Sequence, residues 1–314
     1  MIQFVVSQLV QSLLVVVSAP LMLGWVNQCR AWLQNRTGPG MAQPYRVLGK
    51  LFVKDAVIAH NASPLFRLTP YVVFGCMVLA ASIVPVLATD LPFSPAADVI
   101  ALVGLFALAR VFMALAAMDI GTAFGSMGAR REMLVACLAE PALLMVFFTP
   151  SLISGSTALN NIVETLAHSS LAIYPSMAFA AIAFLMVMLA ENARVPIDNP
   201  ATHLELTMIH EAMILEYSAR HLALIEWANA IKLTIYSAIG VALFLPWGIA
   251  RAGEWLMMPL SIAAFVAKIA AAGAGLALLE TVSAKMRIFR APEFLGMAFM
   301  LAVLGMLTHF LLER

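Results

Sequence analysis

Charged side chains are scarce in this sequence, and their scarcity limits what the protein can be. Only 11% of the 314 residues are Asp, Glu, Lys or Arg, and 63% are hydrophobic. Soluble domains contain about 25% charged residues, so this chain has too few to cover a soluble protein. The 18 basic residues nearly balance the 17 acidic ones, which excludes a basic nucleic-acid-binding face. A polytopic membrane protein remains.

Cysteine is equally rare. The three cysteines, Cys29, Cys76 and Cys137, form no CxxC pair and have no histidine beside them. We expect them to be buried apolar residues. Only His309 falls within a predicted span, which excludes a bis-histidine haem site. We therefore expect no metal and no redox cofactor bound by this chain.

Long apolar runs dominate the rest of the sequence. A helix needs about 20 apolar residues to cross a bilayer, and its backbone must satisfy its own hydrogen bonds there. The sequence predicts an all-α, polytopic membrane helix bundle of eight transmembrane helices, with residues 1–314 as a single integral membrane domain. The predicted spans are residues 4–26, 68–89, 99–118, 133–153, 171–190, 228–249, 255–279 and 294–312.

Basic residues set the predicted orientation. With the N-terminus outside, most of the 18 basic residues fall in inner connections, as the positive-inside rule requires. Eight spans then return the C-terminus to the outside. Two inner connections, 27–67 and 191–227, are too long for simple turns, and long ordered loops often carry function. We expect a multi-pass protein of the cell (inner) membrane whose interaction surface faces the cytoplasm.

The first long connection combines a turn with an amphipathic segment. Gly38-Pro39-Gly40 is a turn signal, and basic residues alternate with apolar ones over 45–57, which predicts a helix at the membrane interface. This connection is interpreted either as a positively charged membrane anchor or as a docking loop for a cytoplasmic partner. The predicted docking residues, in this loop and the next inner connection, are Arg36, Gly38, Pro39, Gly40, Arg46, Lys50, Arg130 and Arg131.

The second long connection holds the densest group of acidic residues. They are Glu191, Asp198, Glu205, Glu211, Glu216 and Glu226. Apolar residues alternate with them, so we predict a coupling segment packed on or into the membrane, where carboxylates exchange protons near neutral pH. A solvated loop is the alternative, and Thr202 with Glu205 has the spacing of a capping box. His210-Glu211 lacks the second histidine of a zinc-protease helix.

Ionisable residues also fall at membrane depth, at Arg110, Asp119, Glu140, Lys268 and Glu280. A charge at the bilayer centre costs about 2.5–3.5 kcal/mol, so such residues face a bundle interior or a polar cavity. We favour proton transfer for Glu140, because a helix break at Pro141 would free backbone groups to hold water. A structural ion pair, such as Lys268 with a carboxylate, is the alternative. The predicted proton-transfer and coupling residues are Glu140, Glu191, Asp198, Glu205, Glu211, Glu216 and Lys268.

Three motifs carry a resemblance to a known family. They are Arg36-Thr37-Gly38-Pro39-Gly40, Glu140-Pro141 and Glu216-Tyr217-Ser218. The chain resembles the membrane subunit of the group 4 energy-converting [NiFe]-hydrogenases, of the formate hydrogenlyase and hydrogenase-4 type. That subunit is homologous to the quinone-site membrane subunit of respiratory complex I. The resemblance covers nearly the whole chain and includes the eight-span layout.

The sequence departs from both branches of this family. Complex I usually has Asn at the position of Gly40, and both relatives have glutamates where this chain has Ala201 and His203. The chain therefore resembles a divergent member, of a hydrogenase-like complex other than formate hydrogenlyase.

The resemblance implies a membrane-anchoring and ion-coupling subunit of an oxidoreductase, with no redox chemistry of its own. It would link a cytoplasmic module with hydrogenase-like large and small subunits to antiporter-like, proton-translocating membrane subunits. Iron–sulfur clusters and a [NiFe] centre would belong to those partners, and quinone binding stays open.

One alternative is the quinone-binding subunit of a complex I-type NADH dehydrogenase, which needs a cavity between the inner loops and the spans. The other is an independent ion transporter, which often has an internal repeat; the two halves show none.

Overall fold

Helices form almost all of the computed structural model, which describes residues 2–86, 98–168, 174–198, 208–248 and 258–312. They are α1 (Ile2–Leu33), α2 (Gln43–Val53), α3 (Pro64–Ile83), α4 (Val99–Asp119), α5 (Ala123–Ser154), α6 (Leu159–His168), α7 (Pro175–Glu191), α8 (His210–Ile214), α9 (Ala219–Phe244), α10 (Met258–Val282) and α11 (Ala291–Leu312). A 3₁₀ turn, Ile288–Arg290, precedes α11. The predicted all-α class is confirmed.

Seven of the described helices are long and apolar enough to cross a membrane: α1, α3, α4, α5, α9, α10 and α11. The remaining predicted span corresponds to α7, which is apolar but has only 17 residues. At 1.5 Å per residue it is roughly 25 Å long, against a hydrocarbon core of about 30 Å. The polytopic membrane bundle is confirmed, with seven full-length spans and one shorter apolar helix.

Several helices extend beyond their predicted spans. α1 continues to Leu33, α5 begins at Ala123 and α9 begins at Ala219. Hydropathy falls at the charged residues near these ends, but the helices continue through them, and two of these residues, Arg30 and Glu132, form ion pairs inside the protein. Arg130 and Arg131, which were predicted in a connection, therefore lie near the start of α5.

Polar side chains define where several helices begin. The Ser63 hydroxyl accepts a hydrogen bond from the Leu65 N–H before α3, and the Asp98 carboxylate accepts one from the Ile100 N–H before α4. Thr122 caps α5 by accepting from the Gly125 N–H at 3.3 Å. These are the residue types that satisfy the free N–H groups of a first turn. The helix start predicted at Asn199-Pro200 lies outside the described residues.

Small residues bring neighbouring helices close together, as is common in membrane bundles. Gly305 of α11 lies so near α7 that a Cβ atom there would come within 3.0 Å of the Ser176 carbonyl oxygen. Cys29 and Cys76 are buried as predicted, but Cys137 is exposed on α5. The prediction for Cys137 was wrong because a lipid-facing position is as apolar as a core position.

Long-range hydrogen bonds join several of the segments between helices at one end of the bundle. The Asn61 side chain donates to the Ile120 carbonyl at 2.8 Å, and the Met286 N–H donates to the Pro196 carbonyl at 2.8 Å. We call this end, formed by residues 34–63, 192–198, 208–218 and 283–290, the loop end. It is the end that the distribution of basic residues predicts to face the cytoplasm.

Candidate functional site

A buried group of charges lies where α4, α5, α7 and α9 meet. Arg110 of α4 makes three contacts: Nη1 lies 2.8 Å from Glu140 Oε1, Nε lies 3.4 Å from Glu132 Oε1, and Nη2 contacts Glu191 Oε2. Lys232 of α9 lies 3.0 Å from the same Glu191 oxygen and donates to the Glu191 carbonyl at 2.6 Å. We call these five residues the Arg110 cluster. They come from four different helices.

Burial differs among the members of the Arg110 cluster. The side chain of Glu191 is 1% exposed and that of Arg110 is 5% exposed, whereas Glu140 remains 32% exposed. Three carboxylates face two cations, so the cluster has an excess negative charge when all of its groups are ionised. Glu191 contacts both cations and is therefore the most tightly held carboxylate. Among the described residues, Glu140 and Glu132 each form an ion pair with Arg110 alone.

The break that was predicted at Pro141 does not occur. α5 runs without interruption from Ala123 to Ser154, with Pro141 and Pro150 inside it. A proline removes one backbone donor without necessarily ending a helix. The polar surroundings of Glu140 therefore come from Arg110 rather than from free backbone groups.

A second group of charges ties the loop end together. Glu280, at the end of α10, lies 3.0 Å from Arg194 Nη1 and 3.4 Å from Arg30 Nη1. It thereby connects α10 with α1 and with the segment that follows α7. We call these three residues the Glu280 cluster.

Asp198 has contacts of a different kind. One carboxylate oxygen lies 3.5 Å from Lys285 Nζ, and the other accepts hydrogen bonds from the backbone N–H groups of Ile209 and His210 at 3.3 and 3.4 Å. Asp198 therefore holds the start of α8 in place. Asp198, which was predicted as a coupling residue, thus has a structural role.

A cavity of about 280 Å³ lies between the two charge clusters at the loop end. Its charged lining includes Arg30 and Arg194 on one side and Glu191 and Lys232 on the other. Glu211 and Glu226 also line it, and neither side chain forms a hydrogen bond or ion pair with the described residues. A polar cavity of this size has room for several water molecules.

A much smaller cavity, of about 30 Å³, lies beside Arg110 and Glu132. Three residues, His210, Asn229 and Lys232, line both this cavity and the larger one. Glu191 and Lys232 of the Arg110 cluster line the larger cavity itself, whereas Arg110 and Glu132 line the smaller one, which these three shared residues separate from the larger.

The predicted coupling residues are only partly brought together. Glu140 and Glu191 belong to the Arg110 cluster, and Glu211 lines the larger cavity. Glu216 is exposed at the loop end and lines neither cavity. Glu205 lies outside the described residues.

Lys268 also lies apart from both charge clusters. Its Nζ donates to the Leu245 carbonyl at 2.6 Å and to the Trp247 carbonyl, just beyond the end of α9. It therefore satisfies backbone acceptors left free at a helix end. The alternative of a Lys268–carboxylate ion pair is not formed among the described residues.

The Glu216-Tyr217-Ser218 motif connects the two long inner connections. Tyr217 stacks on Phe66, with ring centroids 4.0 Å apart, and its hydroxyl donates to the Phe66 carbonyl at 3.1 Å. Burial raises the pKa of the Tyr217 phenol, so it stays a neutral donor. The Ser218 hydroxyl donates to the Val57 carbonyl at 2.7 Å and accepts from the Val57 N–H at 2.9 Å.

The predicted docking loop packs on α1 through its glycines. The Gly40 N–H donates to Gln28 Oε1 at 3.1 Å, and Gly40 has φ +87°, a conformation that favours glycine. A Cβ atom on Gly38 would lie 2.2 Å from the same Gln28 oxygen. In α2, Pro44 and Leu48 are buried against the bundle.

Most of the predicted docking residues are available to a partner. Arg36, Pro39, Gly40, Arg46, Lys50 and Arg130 are exposed. Arg131 is half-buried and donates to the Met208 carbonyl at 2.9 Å, so it orders the segment before α8.

Sequence reasoning missed several members of this site. Arg110 was noticed as a buried charge, but Glu132 was assigned to no role because it lies just before the predicted span 133–153, and Lys232 because it was counted among the basic residues that set the orientation. A stricter argument would have found them: a buried arginine needs carboxylate partners, and Glu132 and Glu140 are the acids of the neighbouring helix.

Known proteins resemble this chain over almost its full length. The family described as NADH dehydrogenase matches residues 6–310. Formate hydrogenlyase subunit 4 of Escherichia coli K12 is 31% identical over 300 residues, which cover 96% of this chain and 97% of that protein. Hydrogenase-4 component C of the same organism is 35% identical over 250 residues, covering 79% of this chain and 77% of that protein.

A solved structure shares the fold. It is a chain of the membrane-bound sulfane sulfur reductase, described as an archaeal respiratory membrane complex, with a TM-score of 0.79 and 19% identity. The match covers 96% of this chain and 99% of that one. An identity this low shows the common fold alone.

Proposed function

Because this chain belongs to the NADH dehydrogenase family, as its motifs predicted, we propose that it is the anchoring and ion-coupling subunit of its complex. The comparisons make it a multi-pass membrane subunit of a complex I-related, hydrogenase-type oxidoreductase. The proposal adds a link between a cytoplasmic module with hydrogenase-like large and small subunits and antiporter-like membrane subunits. Iron–sulfur clusters and a [NiFe] centre would then lie in the partner subunits.

The observation that carries this proposal is the excess of carboxylates in the Arg110 cluster. Three carboxylates, Glu132, Glu140 and Glu191, contact only two cations. These cations are Arg110 and Lys232, so full ionisation leaves one negative charge uncompensated. An uncompensated buried charge is costly, and binding one proton removes it. Such a group takes up and releases a proton when its surroundings change, which is what ion coupling requires.

Glu140 is the member best placed to carry that proton. Its side chain is the most exposed of the three carboxylates that contact Arg110, and it has one cationic partner, at 2.8 Å. Protonation of Glu140 would leave Arg110 paired with Glu191 and Glu132. The cluster can thus change its charge without losing its central contacts.

Glu140→Gln tests the proton-transfer role, because it keeps the shape of the side chain and removes its ionisation. In the intact complex, reconstituted in liposomes, we expect translocated protons per electron to fall roughly tenfold or more. Electron transfer to an artificial acceptor at the cytoplasmic module should persist. Glu293→Gln, at an exposed position at the start of α11, is the matched control. Full translocation by an assembled Glu140→Gln complex would reject the role.

The anchoring part of the proposal is supported by the exposed basic side chains of the loop end. Reversing two of them together, Arg46→Glu with Lys50→Glu, should detach the cytoplasmic module while this chain stays in the membrane. The stoichiometry of copurifying subunits measures the effect. The pair Arg287→Glu with Arg290→Glu, also exposed at the loop end, tests whether the effect belongs to the first loop. Stoichiometric retention of the module by the first pair would contradict docking there.

The larger cavity provides the space that the quinone-binding alternative needs. It lies between the inner loops and the spans and measures about 280 Å³. Ligand pockets for such molecules are mostly apolar and aromatic. This cavity has seven ionisable residues among its fourteen described lining residues and no Phe, Tyr or Trp, so its chemistry favours water and protons.

A further inference from the structure

The wall between the two cavities consists of three side chains, those of His210, Asn229 and Lys232, which line both cavities. Glu191 of the Arg110 cluster lines the larger cavity, whereas Glu132 lines the smaller one. A proton that moves from the larger cavity into the smaller one, toward Glu132, must therefore pass one of these three side chains.

Only one of the three is suited to carry a proton. Lys232 is held by two contacts with Glu191, at 2.6 and 3.0 Å. The amide of Asn229 does not titrate. The imidazole of His210 makes no hydrogen bond or ion pair with the described residues, while its backbone N–H is fixed by Asp198 at 3.4 Å. An imidazole can accept a proton on one ring nitrogen and release one from the other, and its two nitrogens can face two sides.

We propose that His210 passes protons between the larger cavity and the Arg110 cluster. The proposal rests on the coupling function proposed above and assigns its route. One ring nitrogen takes a proton from a carboxylic acid or water on the side of Glu211 and Glu226. The resulting imidazolium releases the proton of its other nitrogen toward Glu132. The ring returns to its first tautomer when it reorients, so no charge accumulates on it.

The size of the smaller cavity determines how many water molecules fit between the imidazole and the Arg110 cluster. The smaller cavity, about 30 Å³, has room for about one water molecule, which would bridge the imidazole and the cluster. On the far side, Glu132 has the longest of the three contacts with Arg110, at 3.4 Å. It is therefore the least tightly held acceptor in the cluster.

Charged groups from every neighbouring element line the two cavities that His210 joins or contact its backbone. They are Glu211 of α8, Glu226 and Lys232 of α9, Arg110 of α4, Glu132 of α5, Glu191 of α7, Arg30 of α1, and Arg194 with Asp198 from the segment after α7. Carboxylates are present on both sides of the ring. Both a proton donor and a proton acceptor are thus within the two cavities that it joins.

Two substitutions at His210 test the route in the intact complex in liposomes. His210→Gln keeps hydrogen-bonding groups but removes the ring that would carry the proton, and His210→Ala opens space for added imidazole. We expect both to lower translocated protons per electron roughly tenfold. Added imidazole should restore proton translocation in the His210→Ala complex, with a pH profile that follows the protonation of imidazole itself. Pyrazole is a ring of similar size that is not protonated near neutral pH, and it should not restore translocation.

The controls separate this route from packing and from the wider proposal. His60→Ala, at an exposed loop position that lines neither cavity, should translocate normally. Full translocation by assembled His210→Gln, absence of imidazole rescue, or equal rescue by pyrazole would each overturn the proposal. If the His210→Gln complex translocates protons fully and the Glu140→Gln complex does not, only the route through His210 is rejected. If both complexes translocate protons fully, the proposed function is rejected as well.

Discussion

The two charge clusters contain carboxylates that are buried alike but have different neighbours. Glu191 and Glu280 each have a side chain only 1% exposed, and each contacts two cations. Arg110, one of the partners of Glu191, is shared with Glu132 and Glu140. The partners of Glu280 contact no other carboxylate among the described residues.

This difference shows that burial alone does not identify a proton-transfer site. The Glu280 cluster has more cations than carboxylates, so protonating its acid would leave two arginines without a partner. The Arg110 cluster has more carboxylates than cations, so protonating one acid removes an excess charge. Ion balance therefore separates a group suited to change its charge from one suited to hold helices together.

The strongest test of this comparison removes the shared cation. Arg110→Met leaves three carboxylates with Lys232 as their only described cationic contact, and breaking a buried ion pair costs about 3–5 kcal/mol. We expect a large fall in the melting temperature of the chain or failure of the complex to assemble, measured by thermal denaturation and size-exclusion chromatography in detergent.

A double substitution is the control for this prediction. Arg110→Met combined with Glu191→Gln removes the cation together with the most buried carboxylate. Its loss of stability should be smaller than the sum of the two single losses, because the two residues interact directly. Additive losses would show that Arg110 does not stabilise Glu191.

The sequence predicted the fold more completely than the site. Apolar runs were enough to predict the all-α class, because a membrane-spanning helix is recognised from the length of a local apolar segment. Glu140 was predicted because it is a carboxylate at membrane depth beside Pro141, and Glu191 because it begins the densest group of acidic residues. Glu132 and Lys232 were missed because their roles depend on which helices meet, and Arg110 and Lys232 contact the same carboxylate, that of Glu191, only in the tertiary fold.

Spacing in the sequence was also a poor guide within the second long connection. Asp198 and Glu216 are acids of the same segment, yet Asp198 holds the start of α8 and Glu216 is exposed. His210 was considered only as a metal ligand. Its place between two cavities follows from the packing of α8 against α4 and α5, which no local pattern records.

A smaller effect is expected from the same chemical change in the second cluster. Glu280→Gln removes the negative charge between Arg30 and Arg194 but keeps an amide that can accept a hydrogen bond. Weakening a charged hydrogen bond costs about 1–3 kcal/mol, so the melting temperature should fall by a few degrees. Protons translocated per electron should match the unmodified complex, because this cluster has no excess carboxylate to exchange a proton.

The outcome decides between ion balance and burial as the property that matters. Glu280→Gln and Glu140→Gln are identical substitutions in one chain, so their comparison cancels any general effect of replacing a carboxylate. If Glu280→Gln lowers the proton-to-electron ratio as far as Glu140→Gln does, charge excess is not the distinguishing feature. Protons would then pass through both clusters, and the cavity between them would be a segment of one continuous path rather than the supply to the Arg110 cluster alone.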